Sequence, residues 1–336
     1  MEKYMLKQFV ALFFTVLPIL LSSTVTRACA SCGCTLSSDW EEASQARFRL
    51  DLRYDFIDQS QLRAGTTQIS PDAASLLLSN GNKQEVEVDT KNYYVTASGE
   101  YAIDASWKVG LVVPYIMRSH STLGTNSDGT NAGAGGGQYD SYTSSLGDAR
   151  LLGRFQGFNE EHNIGITFGL KLPTGSFSRT GTATDPTASI PYPTIDPGLQ
   201  PGSGTTDLIL GAYFNKALDK NWDFFSEGLY QSALNVVANY RPGDGYNLNA
   251  GFRYFGLQGI NPQIQVNSRF VEHDSGSSSD MFSTGGTLFY LSPGVVVPAS
   301  SGIAFYGFVQ VPLYQNLLGV QLTPTYTASV GARYIF

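Results

Sequence analysis

From residue 47 onward the chain alternates apolar and polar residues with a period of two. Phe48, Leu50, Leu52, Tyr54 and Phe56 interleave with Arg47, Arg49, Asp51, Arg53 and Asp55, so one face of this run is wholly apolar and the other fully charged. The pattern recurs. Ile164, Ile166, Phe168, Leu170 and Leu172 oppose Gly165, Thr167, Gly169 and Lys171, and Tyr246, Leu248, Ala250, Phe252 and Tyr254 oppose Asn247, Asn249, Gly251 and Arg253. At the end, Tyr326, Ala328, Val330, Ala332, Tyr334 and Phe336 alternate with Thr325, Thr327, Ser329, Gly331 and Arg333. No run is continuously apolar on both faces, which argues against a buried parallel sheet and the α/β enzymes built on one. The segment from Val109 to Pro114 and the faces of 222–233 do not declare a register.

Turn clusters divide the chain into strands near 46–57, 89–101, 107–118, 145–157, 162–172, 205–216, 222–233, 245–255, 262–272, 283–297, 303–314 and 324–336, an even set of twelve. Five connections are brief, around 102–104, 159–161, 218–220, 256–258 and 298–300. The other six are longer and polar, the largest near 58–88, 119–144 and 173–204. Tight turns at one end and long loops at the other predict an all-β fold. It is a transmembrane antiparallel up-and-down β-barrel of about 12 strands, with short periplasmic turns and long extracellular loops. A soluble sandwich would share the alternation but not this asymmetry.

Composition agrees. Charged residues are 15% of the 336, and glycine numbers 36, tyrosine 19 and phenylalanine 20. Mean hydropathy is −0.10, and the chain lacks the apolar run of about 18 residues that a helical span needs. The formal charge of −7 offers no basic footprint for nucleic acid. Lys3 and Lys7 precede the apolar stretch Phe9 to Leu21, and Ala28-Cys29-Ala30 follows as a small-x-small cleavage site. Residues 1–30 are therefore expected to be a cleaved secretory signal, 31–45 a periplasmic N-terminal segment and 46–336 the outer-membrane barrel. Cleavage takes Lys3, Lys7, Arg27 and Glu2 and moves the charge from −7 to −9. It leaves Cys32 and Cys34, in Cys32-Gly33-Cys34, too close together to staple a fold. They read as a labile disulfide or tethering site, or as soft-metal or redox ligands. Gly33 stands where covalent haem attachment needs a histidine, and no cofactor is expected.

Aromatic residues gather near predicted strand ends, at Tyr93-Tyr94, Tyr101, Trp107, Tyr115, Trp222, Tyr230, Tyr314 and Tyr334, as an interfacial girdle or as cross-strand packing. The final strand, ending in Tyr334-Ile335-Phe336, resembles the insertion signal of bacterial outer-membrane proteins. Four further stretches are similar to the outer-membrane transporters associated with the meta-cleavage pathway of phenol degradation, a group compared with fatty-acid-transporter-like porins. They are Leu146-Gly147-Asp148, Leu170-Lys171-Leu172-Pro173-Thr174-Gly175, Pro201-Gly202-Ser203-Gly204 and Leu291-Ser292-Pro293-Gly294. The resemblance spans about residues 46–336 and implies the fold and the outer-membrane location, with little to say about the solute. The Cys-Gly-Cys start is not part of the pattern.

The expected function is an outer-membrane channel or transporter for small solutes, anionic or aromatic ones among them. Its partners would be outer-membrane lipid, the barrel assembly machinery and a small-molecule solute. Predicted pore-lining residues are Arg47, Arg49, Asp51, Arg53, Asp55, Glu100, Arg150, Arg154, Lys171, Glu227, Arg253, Arg269 and Arg333, a set that leans cationic. Twelve strands are intermediate between filled eight-stranded barrels and open porins, so selectivity rests on how these groups pack, and mutual pairing would plug the lumen. The alternative is a structural or partner-binding barrel whose Cys32-Cys34 end engages a periplasmic redox or metal protein. An enzyme is not expected. His120 and His273 fall in predicted outer loops and His162 at a periplasmic turn, none on a strand face beside a serine. Gly133 to Gly137 reads as a surface loop, lacking the Lys-Ser/Thr ending of a phosphate-binding loop.

Overall fold

The computed structural model describes residues 47–78, 86–123, 138–183, 191–192, 194–279 and 281–336. The signal segment, Cys32, Cys34 and Gly133–Gly137 lie outside them. The chain runs as β1 (Phe48–Gly65), β2 (Thr67–Gln68), α1 (Pro71–Leu78), β3 (Val86–Ala102), β4 (Trp107–Leu123), β5 (Gln138–Leu146), β6 (Ala149–Phe155), β7 (Ile164–Leu172) and β8 (Thr182–Ala183). A single 3-10 turn at Pro197–Leu199 precedes β9 (Asp207–Ala217), β10 (Trp222–Ala233), β11 (Gly245–Tyr254), β12 (Asn261–Val271), β13 (Gly286–Ser300) and β14 (Ile303–Ile335).

All pairings are antiparallel and close on themselves: β1 pairs β3 on one side and β14 on the other, and the circuit continues through β4, β6, β7 and β9 to β13. β14 is two barrel strands in one element. Its first half pairs β13 and its second pairs β1, with the bend at Gly319 (φ +66). Eleven elements with β14 passing twice make the twelve predicted strands. The five brief connections fall at one end together with the junction of Phe48 and Phe336, whose backbones exchange hydrogen bonds of 2.9 and 3.0 Å.

Two expectations are corrected. The residues near 315–323 form no long loop, because both halves of β14 run on to a tight reversal at Gly319, and Val320 and Leu322 pack in the cluster under α1. The run 145–157 is not one strand: β5 and β6 are separated at Gly147-Asp148 while both pair with β4. Several strands also reach past the width of a bilayer at the long-loop end. There Leu62, Ala74, Val86, Val320 and Leu322 form a buried cluster under α1, whose N-terminus is set by Ser70 accepting from Ala73 N (3.2 Å) and by Pro71.

The faces are those of a membrane barrel. Leu50, Leu52, Leu111, Leu151, Ile166, Leu248, Ile264 and Val330 point outward and are exposed, whereas Asp55, Arg154, Lys171, Glu227, Asn249, Gln265 and Arg333 point inward and are buried. A water-soluble sandwich would do the reverse. The aromatic clustering resolves into an outward ring at the short-turn end, where Trp107 packs against Phe155 (4.7 Å), Trp222 against Tyr254 (4.8 Å) and Tyr334 against Phe336 (5.0 Å). Both tryptophans follow the same local device. Asp104 Oδ1 accepts from Ser106 N (2.7 Å) and Trp107 N (2.8 Å), and Asp219 Oδ1 accepts from Asn221 N (2.7 Å) and Trp222 N (3.0 Å), so an aspartate folds each turn and releases the tryptophan at headgroup height.

Leu52 lies about half a membrane strand from the short-turn end. Leu52→Arg is expected to destabilise the lipid-embedded barrel by about 2–4 kcal/mol, while Arg53→Gln, one residue on and inward, costs much less. Urea unfolding in lipid vesicles measures both, and equal costs would mean the faces are reversed.

Candidate functional site

The lumen holds a cavity of about 420 Å³. Its wall comes from β1, β3, β4, β6, β7, β9, β10, β11 and β12, and two connections fold in over it, Pro197–Ser203 between β7 and β9 and Tyr240–Gly243 between β10 and β11.

The first of these connections is pinned by three of the four stretches that stood out in the sequence. Asp148, released by the break between β5 and β6, accepts from Gly175 N (3.0 Å), Ser203 N (2.9 Å) and Ser203 Oγ (3.1 Å). Lys171 Nζ lies 3.1 Å from Asp148 and 2.9 Å from Asp207, and also donates to Ser203 Oγ. Thr174 Oγ1 donates to Gly147 O (2.9 Å) and accepts from Ala149 N (2.8 Å). A Cβ on Gly202 would stand 2.6 Å from Asp148 Oδ1 and 2.7 Å from the Gly175 backbone, so only glycine fits that approach. The second connection is held by Asp274, which accepts from Tyr240 Oη (3.0 Å) and Gly243 N (3.0 Å), and Tyr240 stacks on Phe177 at 5.6 Å.

Below the cavity, toward the short turns, ion pairs link neighbouring strands along the lumen wall. Glu100 faces Arg154 (3.2 Å), Arg49 (3.6 Å) and Lys108 (3.9 Å), Arg333 faces Asp51 (3.4 Å), and Arg253 faces Asp223 (2.6 Å). Arg333 and Arg154 also lie over the rings of Tyr306 and Tyr213. Higher on β1, Arg53 pairs with Asp55 at 2.9 Å, and Asp55 accepts from Ser329 Oγ.

The residues singled out in the sequence thus occupy distinct places. Asp51, Arg53, Asp55, Arg150, Arg154, Lys171, Glu227 and Arg269 line the cavity. Arg49, Glu100, Arg253 and Arg333 belong to the ion-paired layer beneath it, and Arg47 is exposed at the rim. Arg269 is bonded to Asn247 Oδ1 at 3.2 Å. Sequence reasoning missed Lys108 and Arg118, inward on β4, and the acids Asp148, Asp207 and Asp223 that answer the cations. The even-numbered face of β4 carries Lys108 and Arg118, but neighbouring valines on both faces hid its register.

His120 is also corrected. It is not in a loop but buried on β4, where its Nδ1 meets Thr90 Oγ1 at 2.7 Å. Ser141 is its register partner on β5. In the connection over the cavity, burial pushes the Asp196 carboxyl above its ordinary value, against the bond from Gly198 N and the charge of Arg118.

No known family profile and no curated protein matches the chain. Solved structures do. An outer membrane channel from Pseudomonas putida F1 aligns with a TM-score of 0.62 at 14% identity, covering 90% of this chain and 99% of that one. The β domain of the Bordetella autotransporter BrkA (TM-score 0.48, 12% identity, 87% and 100% covered) and the P. putida toluene transporter TodX (0.44, 10%, 93% and 96%) align more loosely. With the apolar exterior, the first alignment establishes the fold: a transmembrane β-barrel of the outer-membrane type.

Lys171→Met is expected to leave Asp148 and Asp207 facing each other in a buried site, at a cost of about 3–5 kcal/mol. The loop 173–206 should then become sensitive to protease while the barrel stays folded. Unchanged cleavage of that loop would show that Lys171 does not pin it.

Proposed function

We propose that this barrel is a channel that passes small solutes across the outer membrane through its lumen. The observation that carries the reading is the lumen cavity, surrounded by a wall whose inward face is polar and charged while its outward face is apolar. A barrel that served only as an anchor would have no use for desolvated charges, which are costly unless they are paired or answer a ligand. The wall carries Arg53, Arg118, Arg150 and Arg269 around the cavity, guanidinium groups that stay cationic at any accessible pH. Such rings raise the local anion concentration.

The ion pairs around Glu100, Asp51 and Asp223 line the wall between the cavity and the short-turn end, so a solute passes beside paired charges. The conductance of the channel therefore changes as salt screens these pairs. The inward residues Arg49, Arg53, Arg150, Arg154, Lys171, Arg253, Arg269 and Arg333 are its pore-lining cations, and Asp51, Asp55, Glu100 and Glu227 its acids. In this reading the protein is not an enzyme, and its partners are lipid and solute. No observation among the described residues favours a partner-binding role for the N-terminal cysteines.

Planar-bilayer recording of the refolded chain tests the proposal. The expected result is a small conductance with chloride preferred over potassium, and a preference reduced in an Arg49→Gln, Arg53→Gln double variant. Absence of conductance from a folded, inserted barrel overturns the channel; cation preference overturns the role given to the arginines.

A further inference from the structure

Two observations converge in the lumen, one about charge and one about shape. Arg150 stands on the inward face of β6, opens onto the cavity, and has no carboxylate within ion-pair distance among the described residues. The acids whose field reaches it, Asp207 and Asp148, are both engaged by Lys171. The like charges of Arg269 and Arg53 reach it as well, and Arg53 already holds Asp55. A guanidinium open to the lumen, with cations for company, is poised for an anion.

Beside it lies an apolar shelf. Val112 is the register partner of Arg150 on β4, and Leu152 follows two residues on. Leu152 lies flat over Gly169, where a Cβ would come within 2.8 Å of its Cδ2. Leu229 lies over Gly211 in the same way, at 2.4 Å, and Ile209 stands between them on β9. These glycines have no side chain to lift the leucines off the wall, so the shelf stays low and the cavity open. An inorganic anion would satisfy Arg150 and leave the shelf against water. A neutral hydrocarbon would cover the shelf and leave Arg150 without a counter-charge.

We propose that the cavity binds a small monocarboxylate with an apolar body, its carboxylate on Arg150 and its body against Val112, Leu152, Ile209 and Leu229. The volume of about 420 Å³ lies within the range of small-ligand sites. This inference rests on the channel reading and names the class of solute that the channel would carry. The bidentate fork of the guanidinium matches a carboxylate, and the charged bond gives the site its discrimination against neutral analogues.

Equilibrium titration of benzoate into the refolded chain in lipid nanodiscs tests it, with benzyl alcohol as the neutral isostere and acetate as the anion without a body. Benzoate should bind at least about tenfold more tightly than either, and Arg150→Gln should weaken it by about tenfold or more. Arg150→Lys should restore part of the affinity. Heat-dependent electrophoretic mobility reports whether each variant is folded, and in the unmodified chain rising KCl should weaken benzoate binding. Benzyl alcohol binding as tightly as benzoate, salt-independent binding, or full affinity in a folded Arg150→Gln variant overturns the site. Conductance without benzoate binding removes this inference and leaves the channel standing. Benzoate binding without conductance leaves the site and removes the channel.

Discussion

A sheet immersed in hydrocarbon has no water to satisfy an unpaired edge, and everything else in this protein follows from closing that edge. Closure fixes which side of each strand meets lipid and which meets the lumen, and with a period of two it does so for every residue at once. The outward side needs only to be apolar, so leucine, isoleucine, valine and ring residues interchange freely there. The inward side is different. It is a confined space in which each charge meets groups from strands distant in sequence, as Arg333 meets Asp51 and Ser329 meets Asp55.

That confinement explains why the cations are distributed as they are. Lys171 is matched by two acids, Glu100 by three cations, and Arg253 by a single aspartate on the neighbouring strand. The pairings concentrate in two places, the joint that carries the inward loop and the layer nearest the short turns. Between them the wall is lined by arginine and by leucine, valine and isoleucine on the same strands. The lumen is thus a graded interior, knitted at its ends and receptive in the middle.

Much of the architecture was legible in the sequence because a membrane barrel writes its two faces directly into the alternation. β1, β7 and β11 declare themselves from side-chain order alone, and the aspartate–tryptophan turns mark where strands begin. The charged partners were not legible, since they depend on register between strands that the alternation does not specify. Asp148 falls inside the run 145–157 that reads as one strand, and its role shows only when Gly175 and Ser203 are seen to need its carboxylate. β4 was obscured because Val112 and Val113 are apolar on opposite faces, so its inward Lys108 and Arg118 could not be assigned. Residues near 315–323 look loop-like, yet strand pairing runs almost to the turn at Gly319 and Val320 and Leu322 are buried with Ala74 of α1. Arg150 and Lys171 are register partners on the inward face with the same expected role, and only the acids around them set them apart.

The seam between β1 and β14 joins Arg49 to Ile335 and Gly65 to Leu317, so strands far apart along the chain must meet to seal the wall. A product that stops before Val320 carries β1 and the first half of β14 as bare edges, each a template for another chain. Such a cylinder cannot mature piecemeal. Its wall must be held open, and kept from foreign strands, until the final hairpin arrives, which makes the timing of closure an affair of chaperoning rather than of local folding.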